Sequence, residues 1–120
     1  MVRVLVVEPD RQIRNFIAAI LADFGHYVWQ CGDAADARQR LRRARFDVLA
    51  TDLVLAEDAG DLPPWARRVP VLTLSGRPFR PVADKHRRPP SLHDSPFRFG
   101  DLQRLVAAID AAGPEHSLAA

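Results

Sequence analysis

Two short apolar runs in this chain each stop at an acid. Val2-Arg3-Val4-Leu5-Val6-Val7 ends at Glu8, and Asp47-Val48-Leu49-Ala50-Thr51 ends at Asp52. Runs this short, rich in β-branched residues and apolar at nearly every position, suit strands buried on both faces. Strands of that kind belong to parallel sheets covered by helices, which points to the α/β class. In an open parallel sheet, ligands gather beyond the carboxyl ends of the strands. Two adjacent strands that each deliver an acid to that edge make a small anionic pocket, suited to a hard cation such as Mg²⁺ and to phosphoryl chemistry. Pro9 stands where a further acid would complete the pocket.

The rest of the chain alternates in the way such a sheet requires. After the first run, Ile13, Phe16, Ile17, Ile20, Leu21 and Phe24 recur at helical spacing, and Gly25 stops the helix. Tyr27 to Cys31 reads as a second strand. Asp33 caps a helix whose narrow apolar stripe is Ala37, Leu41 and Ala44. Phe46 to Thr51 is the third strand, and Gly60 marks a loop after it. Leu62 to Arg68 holds a short helix, with Pro63 and Pro64 tolerated only in its first turn. Val69 to Leu74 is a fourth strand, ending at Ser75-Gly76. From Gly76 to Pro90 the pattern breaks: four prolines and six basic side chains leave room for one or two helical turns between Val82 and Arg88. Ser91-Leu92-His93-Asp94 is a weak fifth strand. The final helix runs from about Gly100 to Ala112, with Leu102, Leu105, Val106 and Ile109 inward, and Gly113-Pro114 ends it.

Size and composition exclude several classes. The 120 residues suit one domain with one core, expected over 1–113, with 114–120 a disordered tail. No apolar run is long enough to cross a bilayer, and no leader precedes the first strand, so a cytoplasmic protein is expected. The lone Cys31 reads as a buried thiol in a reducing compartment. No GxGxxG, no GxxxxGK[ST] and no nucleophile–His arrangement at a telling spacing is present. His26, His86, His93 and His116 are scattered and form no ligand cluster. Net charge is only +2, but Arg38, Arg40, Arg42, Arg43 and Arg45 crowd one helix, and Arg77 to Arg88 form a basic, Pro-rich segment. Solvated surface is the plain reading of both, and docking to an acidic partner the sharper one. With no helix-turn-helix or zinc module, direct nucleic-acid binding is not expected. Trp29 and Trp65 read as packing residues, with Trp65 a possible partner anchor.

Taken in order, Val4 to Glu8, Arg14, Phe46 to Asp52, Gly60, Pro70 to Ser75 and Ser95-Pro96-Phe97 resemble the receiver domain of two-component response regulators. The resemblance covers essentially the whole chain. It implies a flavodoxin-like, doubly wound parallel sheet of five strands in the order 2-1-3-4-5, here with a shortened or irregular fourth helix. It also implies that Asp52 is the phosphoacceptor and that Glu8, Asp52 and the backbone carbonyl of Val54 hold Mg²⁺, with Asp10 a further candidate. Ser75 would then hydrogen-bond the phosphoryl group, and the Ser95–Pro96 bond would be cis. The implied partners are a sensor histidine kinase or phosphotransfer protein and a downstream protein, with Arg77 to Arg88 as a candidate docking segment; a homodimer is also compatible.

The departures from the family pattern are chemical. The usual acidic pair is Glu8-Pro9, the usual Lys before the Pro-Phe pair is Ser95, and the aromatic switch position is Leu92. Loss of one ligand and one cation predicts weak or absent Mg²⁺ binding and impaired phosphotransfer. Two functions from different classes therefore stand: a stand-alone receiver in a phosphorelay, or a pseudo-receiver acting as an interaction module without phosphorylation. In neither is the protein an enzyme beyond accepting a phosphoryl group itself. A small flavodoxin-like ligand binder would need a phosphate-cradling loop that the sequence lacks.

Overall fold

A computed structural model describes residues 1–52, 63–74, 76 and 99–112. In chain order the elements are β1 (Arg3–Val7), α1 (Arg11–Asp23), β2 (Tyr27–Cys31), α2 (Ala34–Arg43), β3 (Val48–Thr51), α3 (Pro64–Arg68), β4 (Val71–Leu72) and α4 (Phe99–Ala111). The four strands form one parallel sheet in the order β2-β1-β3-β4. This parallel α/β architecture is consistent with a flavodoxin-like fold. The expected fifth strand, the turns between Val82 and Arg88 and the tail lie outside the described residues. Among those residues no helix is long and apolar enough to cross a membrane.

The strand residues sort by parity, because alternate side chains point to opposite faces. Val2, Val4, Val6, Val48 and Ala50 pack with Ile17 and Leu21 of α1 and Leu105 and Ile109 of α4. Leu5, Val7 and Leu49 pack with Ala37 and Leu41 of α2, Phe46, and Ala66 of α3. Helices thus cover both faces, which explains why β1 is apolar at successive positions. Arg3 escapes this rule at the strand's first residue, where its guanidinium lies over Trp29.

Local chemistry sets the ends of the elements. Asp33 is extended and accepts from the Asp36 N–H at 2.7 Å, starting α2. The last turn of α2 carries Arg40, Arg42 and Arg43, cations placed against the helix's negative end. The third strand is shorter than Phe46 to Thr51. Asp47 donates its N–H to the Arg3 carbonyl at 2.8 Å and accepts the Arg3 N–H on its carboxylate at 2.8 Å. A side chain therefore stands in for a backbone acceptor before β3 proper. The fourth strand is Val71–Leu72 rather than Val69 to Leu74. Pro70 has no N–H, though its carbonyl accepts from Leu49, and the chain turns by a Gly76 N–H to Thr73 carbonyl bond of 2.8 Å. Phe16 and Phe24, expected in the α1 stripe, are 50% and 64% exposed. Phe16 stands about 100° round the helix from Ile17, and Phe24 is the C-cap, where the chain leaves the helix.

Gly25 and Gly76 both have positive φ, +91° and +85°. They differ in their surroundings. A Cβ on Gly25 would meet nothing within 4 Å, whereas one on Gly76 would fall 2.7 Å from the Leu105 Cα and also against the Leu105 nitrogen. Gly25→Ala should therefore cost only the conformational strain, about 1 kcal/mol. Gly76→Ala adds a collision with helix backbone, and its loss should be about 2–4 kcal/mol. Urea unfolding of the two variants measures the difference; equal losses would mean that α4 yields freely at this contact.

Candidate functional site

The strand register builds the candidate site. Val7 pairs with Thr51 across the β1–β3 ladder and with Cys31 across β1–β2. Glu8 and Asp52 are each the next residue along neighbouring parallel strands, so the ladder carries the two acids to the same edge at adjacent positions, with strands about 4.8 Å apart. Thr51 and Thr73 are buried beneath that edge.

Glu8 is 1% exposed, and its surroundings hold it on three sides. Its N–H donates to the Cys31 carbonyl at 3.0 Å, continuing the ladder with β2 one residue past β1. Its carbonyl accepts from Arg14 Nη1 at 2.7 Å. Its carboxylate Oε1 accepts from the Asp10 N–H at 3.0 Å, folding the side chain back over Pro9. The acceptor is two residues before its donor, as in an Asx-turn, and Pro9 between them contributes no N–H of its own. The same turn starts α1: Asp10 is extended (φ −75°, ψ 116°), and its Oδ1 accepts from Gln12 and Ile13 at 2.9 and 3.0 Å. That is N-cap chemistry, and it commits one oxygen of Asp10 to the helix start.

Asp52 is half-buried. Its Oδ1 accepts from the Leu74 N–H at 2.9 Å, which ties the end of β3 to the chain just past β4. A backbone N–H thus helps to orient the carboxylate. Val54, Ser75, Leu92, Ser95 and Pro96, with the expected cis bond, lie outside the described residues, as do Gly60 and the Arg77 to Arg88 segment. Of the expected site residues the structure therefore brings together Glu8 and Asp52, with Asp10 at the adjoining helix start.

Arg14 has a role that its place in the sequence pattern did not reveal. It reaches back past the start of α1 to brace the Glu8 carbonyl, and its guanidinium lies where a side chain on Gly32 would stand, 3.2 Å from a Cβ there. The pairing of Arg14 with a small residue after β2 is the signal that could have suggested this contact.

The donor set is modest. Two carboxylates on neighbouring strands suit a hard cation, and each already gives one oxygen to a backbone N–H. Among the described residues no group of three or more His, Cys, Asp or Glu side chains is placed to hold a metal ion. Cys31, beside this edge, is buried at 2% exposure. Burial, with Asp36 adding and Arg40 opposing, pushes its thiol up from 9.0 to about 11.

No family model matches the sequence. The chain is similar to the response regulator receiver protein CpdR of Brucella abortus (strain 2308), with 35% identity over 60 residues, half of this chain and half of that protein. It is also similar to adventurous-gliding motility protein Z of Myxococcus xanthus (strain DK1622), with 27% identity over 124 residues, 94% of this chain and 9% of that protein.

Two measurements probe the site's local chemistry. Asp10→Ala should lower stability by about 1 kcal/mol, and Asp10→Asn by much less, since Asn caps equally well; comparable losses would mean that the capping contact does not matter. For Cys31, the folded thiol ionises later than the unfolded one. The folded state therefore holds an extra proton between pH 9 and about 11 and loses stability as pH rises through that window, with no effect below it. Iodoacetamide alkylation of the native protein should accordingly keep accelerating up to about pH 11 rather than levelling near 9.

Proposed function

We propose that the chain is a receiver module of a two-component phosphorelay, with Asp52 as phosphoacceptor at a weakened site. The observation that carries this reading is the register that sets Glu8 and Asp52 side by side beyond the paired Val7 and Thr51. The partial similarity to a response regulator receiver protein supports it.

In this reading an Asp52 oxygen attacks the phosphorus of a phosphohistidine or a small acyl phosphate. The P–N or P–O bond to the donor breaks, and an acyl phosphate forms on Asp52. The Leu74 N–H orients the attacking carboxylate before the donor arrives. Glu8, Asp52 and the Val54 carbonyl, with Asp10 as a further candidate, would hold Mg²⁺, which when bound neutralises phosphoryl charge. Ser75 would hydrogen-bond the transferred group. A histidine kinase or phosphotransfer protein would be the donor, and a downstream protein would read the result.

The second reading is a pseudo-receiver that binds partners without being phosphorylated. A specific observation favours it. Glu8 is almost wholly buried and spends a carboxylate oxygen on the Asp10 N–H, while Asp10 caps α1. Acids used this way are less ready to take up a cation. Ser95 in place of the family Lys removes a charge that would meet the phosphoryl oxygens.

The deciding experiment is Mg²⁺-dependent phosphorylation of the purified protein by a small acyl phosphate, read by intact mass. A single phosphoryl adduct, absent from Asp52→Asn, is the expected result. Pro9→Asp and Ser95→Lys should each accelerate its formation, by up to about a hundredfold where the restored contact is well placed. No adduct in any of these proteins, with no Mg²⁺ binding, would move the chain to the interaction-module class.

A further inference from the structure

The end of the sheet opposite the two acids carries a cluster of arginines laid on aromatic rings. Arg3, the first residue of β1, places its guanidinium 4.5 Å from the centre of the Trp29 ring and 5.8 Å from that of Phe46. Trp29 and Phe46 meet edge to face at 5.5 Å. Arg3 Nε donates to the Arg45 carbonyl at 2.8 Å, which fixes the chain where it leaves α2. Arg45 in turn lays its own guanidinium 5.8 Å over Trp65 of α3. Arg68 stands one turn beyond Trp65 on the same helix, and i, i+3 positions share a helix face. Arg43, Arg45 and Arg68 are exposed. Among the described residues Asp47 is the acid at this cluster, and it accepts the backbone N–H of Arg3 on its carboxylate. Asp36, one turn earlier on α2, lies against Arg40.

We propose that this surface docks an acidic protein segment, whose carboxylates pair with Arg43, Arg45 and Arg68 beside Trp65. Among the described residues the exposed charges named here, Arg43, Arg45 and Arg68, are all positive, which selects an anionic partner. The stacking selects its kind. A guanidinium held over a ring still presents N–H groups away from it, which can take a carboxylate through two parallel bonds. Such an arginine has also lost part of its freedom before the partner arrives, so less entropy is lost on docking. Single-stranded nucleic acid would instead need open aromatic faces for its bases. Here the faces of Trp29 and Trp65 have guanidinium groups over them. Trp65, half-buried, leaves an apolar edge beside the guanidinium groups that the apolar side chains of an acidic segment would cover. The surface stands apart from Glu8 and Asp52 and does not depend on phosphorylation.

The test uses the whole chain and a fluorescein-labelled peptide of alternating glutamate and phenylalanine, read by anisotropy. Saturable binding is expected, weakening as salt rises from about 50 to about 300 mM. Arg45→Glu with Arg68→Glu should weaken it at least about tenfold, the scale of losing two charge-assisted contacts. Arg43→Glu, at a side chain outside the ring stacks, guards against a folding defect in the double variant. Arg45→Lys keeps the charge but not the planar fork and should fall between. Arg11→Glu, on exposed α1, should leave binding unchanged. The proposal is overturned if no peptide binding occurs, if Arg11→Glu weakens binding as much as the double variant, or if a single-stranded oligonucleotide binds in place of the peptide.

Discussion

β1 is hydrogen-bonded on both sides, to β2 and to β3, and the rest of the architecture takes its bearings from that double ladder. One residue, Val7, is in register with Cys31 on one flank and Thr51 on the other. A slip of one position in either ladder would exchange the faces of every side chain in the strand. It would bring apolar residues out of both layers and part Glu8 from Asp52. The buried apolar faces therefore hold the acids together: hydrophobic burial fixes the register, and the register fixes the edge.

Two kinds of electrostatic organisation follow at the two ends of this sheet. At the carboxyl end, acids are held by backbone N–H groups: Asp10 N–H on Glu8, Gln12 and Ile13 N–H on Asp10, Leu74 N–H on Asp52. At the amino end, cations are held by rings: Arg3 on Trp29 and Phe46, Arg45 on Trp65. In each arrangement a charged group in a partly buried place is held by backbone N–H groups or by ring faces.

The apolar runs made β1 and the end of β3 legible in the sequence, because successive residues must satisfy two buried faces, while β2, more exposed, showed as a short aromatic and β-branched stretch after Gly25. The capping acids Asp10 and Asp33 sit at helix starts, but the sequence pattern points to a cap only at Asp33 and to a metal ligand at Asp10. What the sequence did not disclose was the direction of side chains. Phe16 fits the helical period and yet lies off the buried arc. Glu8 occupies a ligand position by count, and only the geometry shows its carboxylate turned back over Pro9. The length of β4 depended on Pro70, whose missing N–H is a local constraint, and on the tight turn from Thr73 to Gly76, which sits where α4 packs. The arginine stacks were visible only as charge, since Arg3, Arg45 and the two tryptophans come from four separate stretches of chain.

Gly76 has a mechanical consequence. Where two elements meet through side chains, rotamer changes can absorb a displacement of one before the other feels it. At Gly76 the backbone after β4 lies against the backbone of α4 near Leu105, with no side chain between them. Such a joint has no play. A shift of the chain at residue 76 toward the helix is passed on as a shift of α4 itself, and a push on α4 returns to the turn that starts at Thr73, next to the N–H that holds Asp52.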